Sequence, residues 1–372
     1  MALWFFVSSV LAISSLFYKS KPLVCMLWLF ITVVVAFRFN IGSDYLGYVV
    51  LFDQYERMWP KDFGFYAIAS ILNFGGLNSQ ALFVFYAVVT CLFNALAVNK
   101  FSKLGGTFGL LSFVFFALML FPSLNVIRQA AAAAIIFYAL YFACERRWLI
   151  YLSLIVMAST FHLSALLMVF VIPYFFVDFK KNTCLLLYLV PIFFVYVDVS
   201  ELIKFAISYS GLYAEYADFG RFSRAVTFVD LIKSQVQILF CFVLSLLVSK
   251  YTTNTRFSMF IIKGLLLTAI LLSISVNMAV VGRLYLYFKP FAVLAIALLI
   301  SNLSSVVKQK NMEFVSIFTL VFTIFIATSY SAYRKESAYR QFSLNFCIVN
   351  ESCPVAIYGD YGTVERWDAQ IE

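Results

Sequence analysis

The chain holds one histidine, His162, within Thr160-Phe161-His162-Leu163-Ser164, between two short apolar runs. Its unperturbed pKa suits proton exchange near neutrality. A capped turn residue or hydrogen-bonded core group is the competing reading. Arg128 follows Pro122-Ser123-Leu124-Asn125-Val126-Ile127 and precedes Gln129 and the alanines Ala130–Ala134. In the first turn of a helix, Arg128 would oppose the macrodipole and call for an anionic partner. A helix N-terminus with an added guanidinium is a cradle for phosphate or pyrophosphate; an acid of the protein itself is the alternative partner. The alanines would let a neighbouring helix approach closely. Arg283, in Gly282-Arg283-Leu284-Tyr285, repeats this arrangement ahead of a later helix, where Lys289-Pro290 predicts a bend or a late start.

Two further stretches carry polar groups that are expensive near lipid. In Arg38-Phe39-Asn40-Ile41-Gly42-Ser43-Asp44-Tyr45, a cation, an amide, a tight backbone and a carboxylate fall together. Arg38 alone reads equally as a snorkelling anchor. Between 209 and 224, Tyr209, Tyr213, Tyr216, Phe219 and Phe222 recur at helical spacing. That pattern favours an interfacial helix, with sugar stacking open to one or two rings. Arg221 and Arg224 lie three apart and can address one anion. Glu215 and Asp218 are their partners, or one of them is a base.

The elements that must position these residues follow from composition. The 372 residues are 64% hydrophobic and 12% charged, an apolar surplus no water-soluble core could hide. The apolar runs lack strict alternation, so they read as helices rather than barrel strands. Spans are expected at about 2–18, 22–37, 80–99, 107–121, 125–144, 148–160, 163–177, 184–198, 231–249, 258–277, 286–302 and 313–330. The first is kept as a helix, since no cleavable leader pattern precedes it. The fold class is therefore all-α: one polytopic domain over 1–330 with about twelve transmembrane helices. Loops run at about 38–79 and 199–230, the first with a short helix near Phe63–Leu72, and a polar tail covers 331–372. One set of span ends carries 13 of the 27 basic residues but three of the 18 acids. By the positive-inside rule that side is cytoplasmic, so both loops, both termini and the tail face outward.

The same asymmetry accounts for the basic balance without nucleic acid. No Gly-rich phosphate loop and no Asp-x-Asp pair for a nucleotide-sugar is present, and no metal-ligand spacing is seen. Cys25, Cys91, Cys144, Cys184 and Cys241 read as small core residues. Cys347 and Cys353, in the outward tail, are a disulfide candidate. Activated substrate would have to come from the membrane.

Arg38 through Tyr45 resembles the EpsG family of Wzy-type polysaccharide polymerases, with its Arg-aromatic-Asn-x-Gly-x-Asp-Tyr stretch. The likeness continues at Asn125-Val126-Ile127-Arg128-Gln129-Ala130 and at Phe161-His162-Leu163-Ser164-Ala165. It departs at Asp62-Phe63-Gly64-Phe65, where relatives often carry Glu. The resemblance implies a GT-C-like metal-independent glycosyltransferase of the bacterial inner membrane, without cofactor. It would join undecaprenyl-diphosphate-linked oligosaccharides into O-antigen, capsule or exopolysaccharide. A chain-length regulator and a flippase are the implied partners. Catalytic roles are expected for His162, Asp44 and Arg128. Arg38, Asn40, Tyr45, Gln129, Arg221, Arg224, Arg283 and Tyr285 are expected to line the diphosphate and sugar sites. O-antigen ligase is the nearest rival; a flippase would show repeats and mid-membrane polar groups, and an acyltransferase a histidine nearer the cytoplasm. Cysteines introduced beside Arg128 and His162 should react with an impermeant thiol reagent from outside intact spheroplasts; labelling only after permeabilisation would sink this orientation.

Overall fold

The computed structural model describes residues 17–39, 41, 44–58, 63–197, 226–252 and 255–307, with isolated positions at 10, 11, 13, 14, 315, 319, 323, 343 and 344. Among them the architecture is helical. The order is α1 (Lys21–Ala36), α2 (Tyr45–Asp53), a 3-10 turn (Tyr55–Met58), α3 (Phe63–Phe74), α4 (Ser79–Phe101), α5 (Phe108–Asn125), α6 (Ile127–Cys144) and α7 (Trp148–Phe161). A 3-10 segment (Leu163–Phe170) then leads into α8 (Val171–Phe176), α9 (Lys181–Leu186), α10 (Leu189–Phe194), α11 (Phe228–Tyr251), α12 (Thr255–Ile274) and α13 (Ala279–Val307). Five helices, at Ser79–Phe101, Ile127–Cys144, Phe228–Tyr251, Arg256–Ile274 and Val281–Asn302, are long and apolar enough to cross a membrane. With six shorter apolar helices, they make the chain a multi-pass membrane protein. Its expected first and twelfth spans lie largely or wholly outside the described residues.

Local chemistry sets the helix starts. Pro22 opens α1, where its missing N–H costs nothing. Asn78 caps α4 by accepting from Gln80 N, and Thr107 caps α5 by accepting from Leu110 N. Thr227 and Asp230 form a reciprocal capping box ahead of α11. The central helix is α6. All five alanines, Ala130–Ala134, are buried; being consecutive they ring the helix, which packs against α4 and α7. Large apolar side chains on α11, among them Val236 and Leu239, are exposed; in a bilayer that face meets lipid.

Several boundaries differ from the sequence expectation, each for a physical reason. Expected spans 163–177 and 184–198 are each interrupted. Pro173 and Pro191 lack the N–H that would bond Val169 and Leu187, and at both places the preceding turn departs from α-helix. Helix α5 runs to Asn125 instead of ending near 121, because its last-turn carbonyls find a donor, described below. The apolar run expected to end at 277 stops at Ile274, where the N–H groups of Asn277 and Met278 fold back onto its carbonyl. Helix α13 therefore starts at Ala279, not 286, and passes through Pro290. Cys25, expected inside, is exposed on α1; the other four expected core cysteines are buried.

Arg38-Phe39 (β1) pairs antiparallel with Ser343-Leu344 (β2), which brings a segment beyond α13 to the end of the bundle where α1 exits. Helix α3 meets the C-terminal end of α7 through Gly64, where any Cβ would overlap the Thr160 carbonyl. Replacing Gly64 by Ala should therefore lower stability by about 1–3 kcal/mol through forced separation of the two helices. The melting temperature of purified protein in detergent checks this, and an unchanged value would contradict the close approach.

Candidate functional site

At the end where α1 and α5 finish, one guanidinium holds the backbone together. Arg38 is 1% exposed. Its Nη1 donates to the Val35 carbonyl at 2.6 Å and its Nη2 to the Leu124 carbonyl at 3.0 Å. Both carbonyls lie in the last turns of their helices, where orphan acceptors and the negative dipole end favour a cation. The Phe83 ring lies 5.1 Å from the Arg38 guanidinium carbon. Gln80 Nε2 donates to the Ala36 carbonyl at 2.7 Å, and its Oε1 accepts from the Tyr45 hydroxyl at 3.1 Å. Tyr45 stacks on Phe83 at 4.2 Å. Arg38 and Tyr45 thus form the inner wall that positions the next layer.

That layer joins two sequence motifs. Asp44, the N-cap residue of α2, donates its backbone N–H to Asn125 Oδ1 at 3.1 Å. A single non-helical residue, Val126, separates Asn125 from α6, and its side chain does not cap that helix. Arg128 lies in the first turn of α6, as expected. Its guanidinium carbon sits 5.7 Å from the Tyr48 ring and 5.5 Å from the Phe65 ring. Tyr48, in the loop helix α2, has its phenol pushed up by burial, with the charge and hydrogen bond of Arg128 opposing, Asp44 reinforcing, and Arg283 opposing more weakly. Arg128, Asp44 and Arg283 therefore all lie within electrostatic reach of Tyr48.

Gln129 is 3% exposed; its Nε2 donates to the Arg283 carbonyl at 2.7 Å, tying α6 to α13. Arg283 falls in the second turn of α13 and not ahead of the helix, a correction that follows from the earlier helix start. Its side chain is exposed. The expected dipole argument thus holds for Arg128 but weakens for Arg283, since the effect fades beyond the first turn.

His162 is the C-cap residue of α7. Its Nδ1 lies 2.7 Å from Ser164 Oγ, which lies 2.9 Å from the hydroxyl of Tyr287. Tyr287 stands one turn beyond Arg283. On the other side, Gly64 abuts Thr160 and the next residue, Phe65, meets Arg128. Helices α3 and α13 therefore link His162 to the Arg128 group.

Tyr285 points elsewhere, packing with Tyr188 just ahead of α10, Cys241 of α11 and Leu266 of α12. Asn40, Arg221, Arg224, Cys347 and Cys353 lie outside the described residues. Sequence reasoning passed over Tyr48, Phe65, Gln80, Phe83 and Tyr287. Two signals were available: Tyr45, Tyr48 and Phe52 follow helical spacing inside the long loop, and Tyr287 lies four residues after Arg283.

No curated protein matches the chain, and no solved structure does. The EpsG family model matches residues 21–344, the stretch holding α1 through α13 and β2. A buried Arg38, a helix-initial Arg128-Gln129 and the His162 turn, gathered at one end of a membrane bundle, are thus set in a chain that belongs to the EpsG family.

Proposed function

We propose that this protein polymerises lipid-linked saccharides at the outer face of the bacterial inner membrane, in a GT-C-like bundle of about twelve spans. Family membership suggests an exopolysaccharide-related polymerase role. The donor is a growing glycan on undecaprenyl diphosphate, and the acceptor is the non-reducing end of a new lipid-linked repeat unit. The acceptor oxygen bonds to the anomeric carbon as that carbon parts from the diphosphate oxygen, and the hydroxyl proton passes to a base.

What supports this reading is a single juxtaposition. Arg128, at a helix N-terminus its neighbour leaves uncapped, lies with Arg283 and Asp44 within electrostatic reach of Tyr48. Two cations suit a diphosphate whose charge grows as the sugar departs, and helix-initial N–H groups add donors. Arg221 and Arg224 are assigned to the same anion, and Asn40 to the sugar. The base is Asp44 or His162. A Cys347–Cys353 disulfide within the short C-terminal tail is assigned as well, and a chain-length regulator and a flippase are the partners.

Purified protein incubated with a lipid-linked repeat unit should yield a ladder of products. Arg128→Ala should reduce ladder formation by about 10²–10³, the worth of one donor aimed at developing charge, without altering membrane abundance. Normal chain lengths in that variant would remove Arg128 from the mechanism. Loss of the ladder on chelation would count against metal-independent transfer.

A further inference from the structure

The hydrogen bonds around His162 fix more than its position. The Ser164 backbone N–H lies 3.4 Å from Nδ1, and a backbone N–H can only donate. Nδ1 therefore offers its lone pair, and the Ser164 hydroxyl donates to the same atom from 2.7 Å. That leaves the Ser164 oxygen to accept from the Tyr287 hydroxyl at 2.9 Å. Tyr287, 1% exposed, is held by the core of α13. In a neutral imidazole, a nitrogen that accepts leaves the proton on the other.

We infer that neutral His162 carries its proton on Nε2 and serves transfer as a hydrogen-bond donor to the departing diphosphate oxygen. Ser164 and Tyr287 are positioning residues that fix this tautomer, and Asp44 takes the acceptor proton. A base at Nε2 would require Nδ1–H, which would face the Ser164 N–H donor to donor. The catalytic half of this inference rests on the polymerase reading; the tautomer does not.

His162 is the only histidine in the chain, so full-length protein labelled with ¹⁵N-imidazole in detergent micelles gives one pair of ring-nitrogen signals. At a pH where the ring is neutral, the wild type should show the Nε2–H tautomer, and Ser164→Ala, which keeps the backbone N–H, should weaken that preference without reversing it. A wild-type ring protonated at Nδ1 overturns the inference whatever the activity. In the ladder assay, His162→Gln keeps an N–H near the Nε2 position but cannot act as a base. It should retain roughly tenfold more polymerisation than His162→Ala, the equivalent of about one hydrogen bond. Equal loss in the two variants overturns the donor role. A wild type that makes no ladder overturns the polymerase reading and the donor role together, while the spectrum still decides the tautomer.

A separate observation stands at the opposite end of the bundle. A cavity of about 470 Å³ opens beside the C-terminus of α6, and its charged lining is Arg146, Arg256 and Lys263 against Asp178. Asp178 pairs with Arg146 at 3.3 Å, which leaves a net positive recess among the described residues. Arg146 adopts φ 58°, a left-handed geometry usually left to glycine after a helix. Trp148 and Phe260 supply apolar lining.

We propose that this recess binds a phosphate-bearing anion, from a lipid headgroup or from solution. By charge asymmetry this end faces the cytoplasm. Native mass spectrometry of the full-length protein with phosphatidylglycerol, phosphatidylcholine or inorganic phosphate tests it. The site predicts retention of phosphatidylglycerol over phosphatidylcholine, falling at least roughly tenfold when Arg146 and Arg256 are both alanine, two charge-assisted contacts being lost. Displacement by inorganic phosphate would identify free phosphate as the ligand. Equal retention of both lipids without phosphate binding, or binding unchanged in the double variant, would overturn the site.

Discussion

Everything at the candidate site depends on a cation enclosed by helix ends. A guanidinium removed from water carries a desolvation cost that only close hydrogen-bonded partners offset. Arg38 meets it with the last-turn carbonyls of α1 and α5 and the face of Phe83. Those carbonyls would otherwise be orphan acceptors with no water to serve them. Each side thus solves the other's problem, and two helices that start far apart in sequence must finish at one point.

Lys263 repeats the device at the other end. Its ammonium donates to the carbonyls of Phe175 and Val177, at the end of α8, and faces the rings of Tyr174 and Phe179. Membrane proteins have few hydrophobic means of joining helix to helix, because lipid tails are as apolar as leucine. Charges capping helix C-termini, the buried alanines that ring α6 and glycine at a crossing do the joining here. Gln129 belongs with them, since its amide binds α6 to α13 through the Arg283 carbonyl.

With the frame fixed by Arg38, the second layer follows. Asn125 closes α5 and holds the Asp44 backbone, and Arg128 stands three residues further on, in the first turn of the next helix. The carboxylate and the cation thus stand on the ends of different elements with little freedom between them. His162 is kept in place by a hydroxyl chain rooted in α13. The arrangement is preorganised by backbone and amide contacts, which suits a site that must meet a changing charge without rearranging.

The residues by themselves determined the solvent, the fold class and the three stretches that make the site. Apolar runs of span length leave no other choice in kind, and polar groups costly near lipid mark themselves. Arg128 at a helix start could be read from Pro122, Asn125 and the alanines that follow. What spacing could not decide was partnership. Arg38 and Arg128 look alike as isolated cations, yet one turns inward to two carbonyls while the other faces Tyr48 and Phe65. Tyr285 and Tyr287 are neighbours in sequence, but a rotation of about 200° at 3.6 residues per turn sends them to different cores. Helix α2 was missed because a short, all-round apolar stretch within a loop has no periodicity strong enough to outweigh its setting. Only tertiary contacts, which bring Leu124 to Arg38 and Tyr287 to Ser164, set those assignments, because hydrogen-bond partners distant in the chain leave no local pattern.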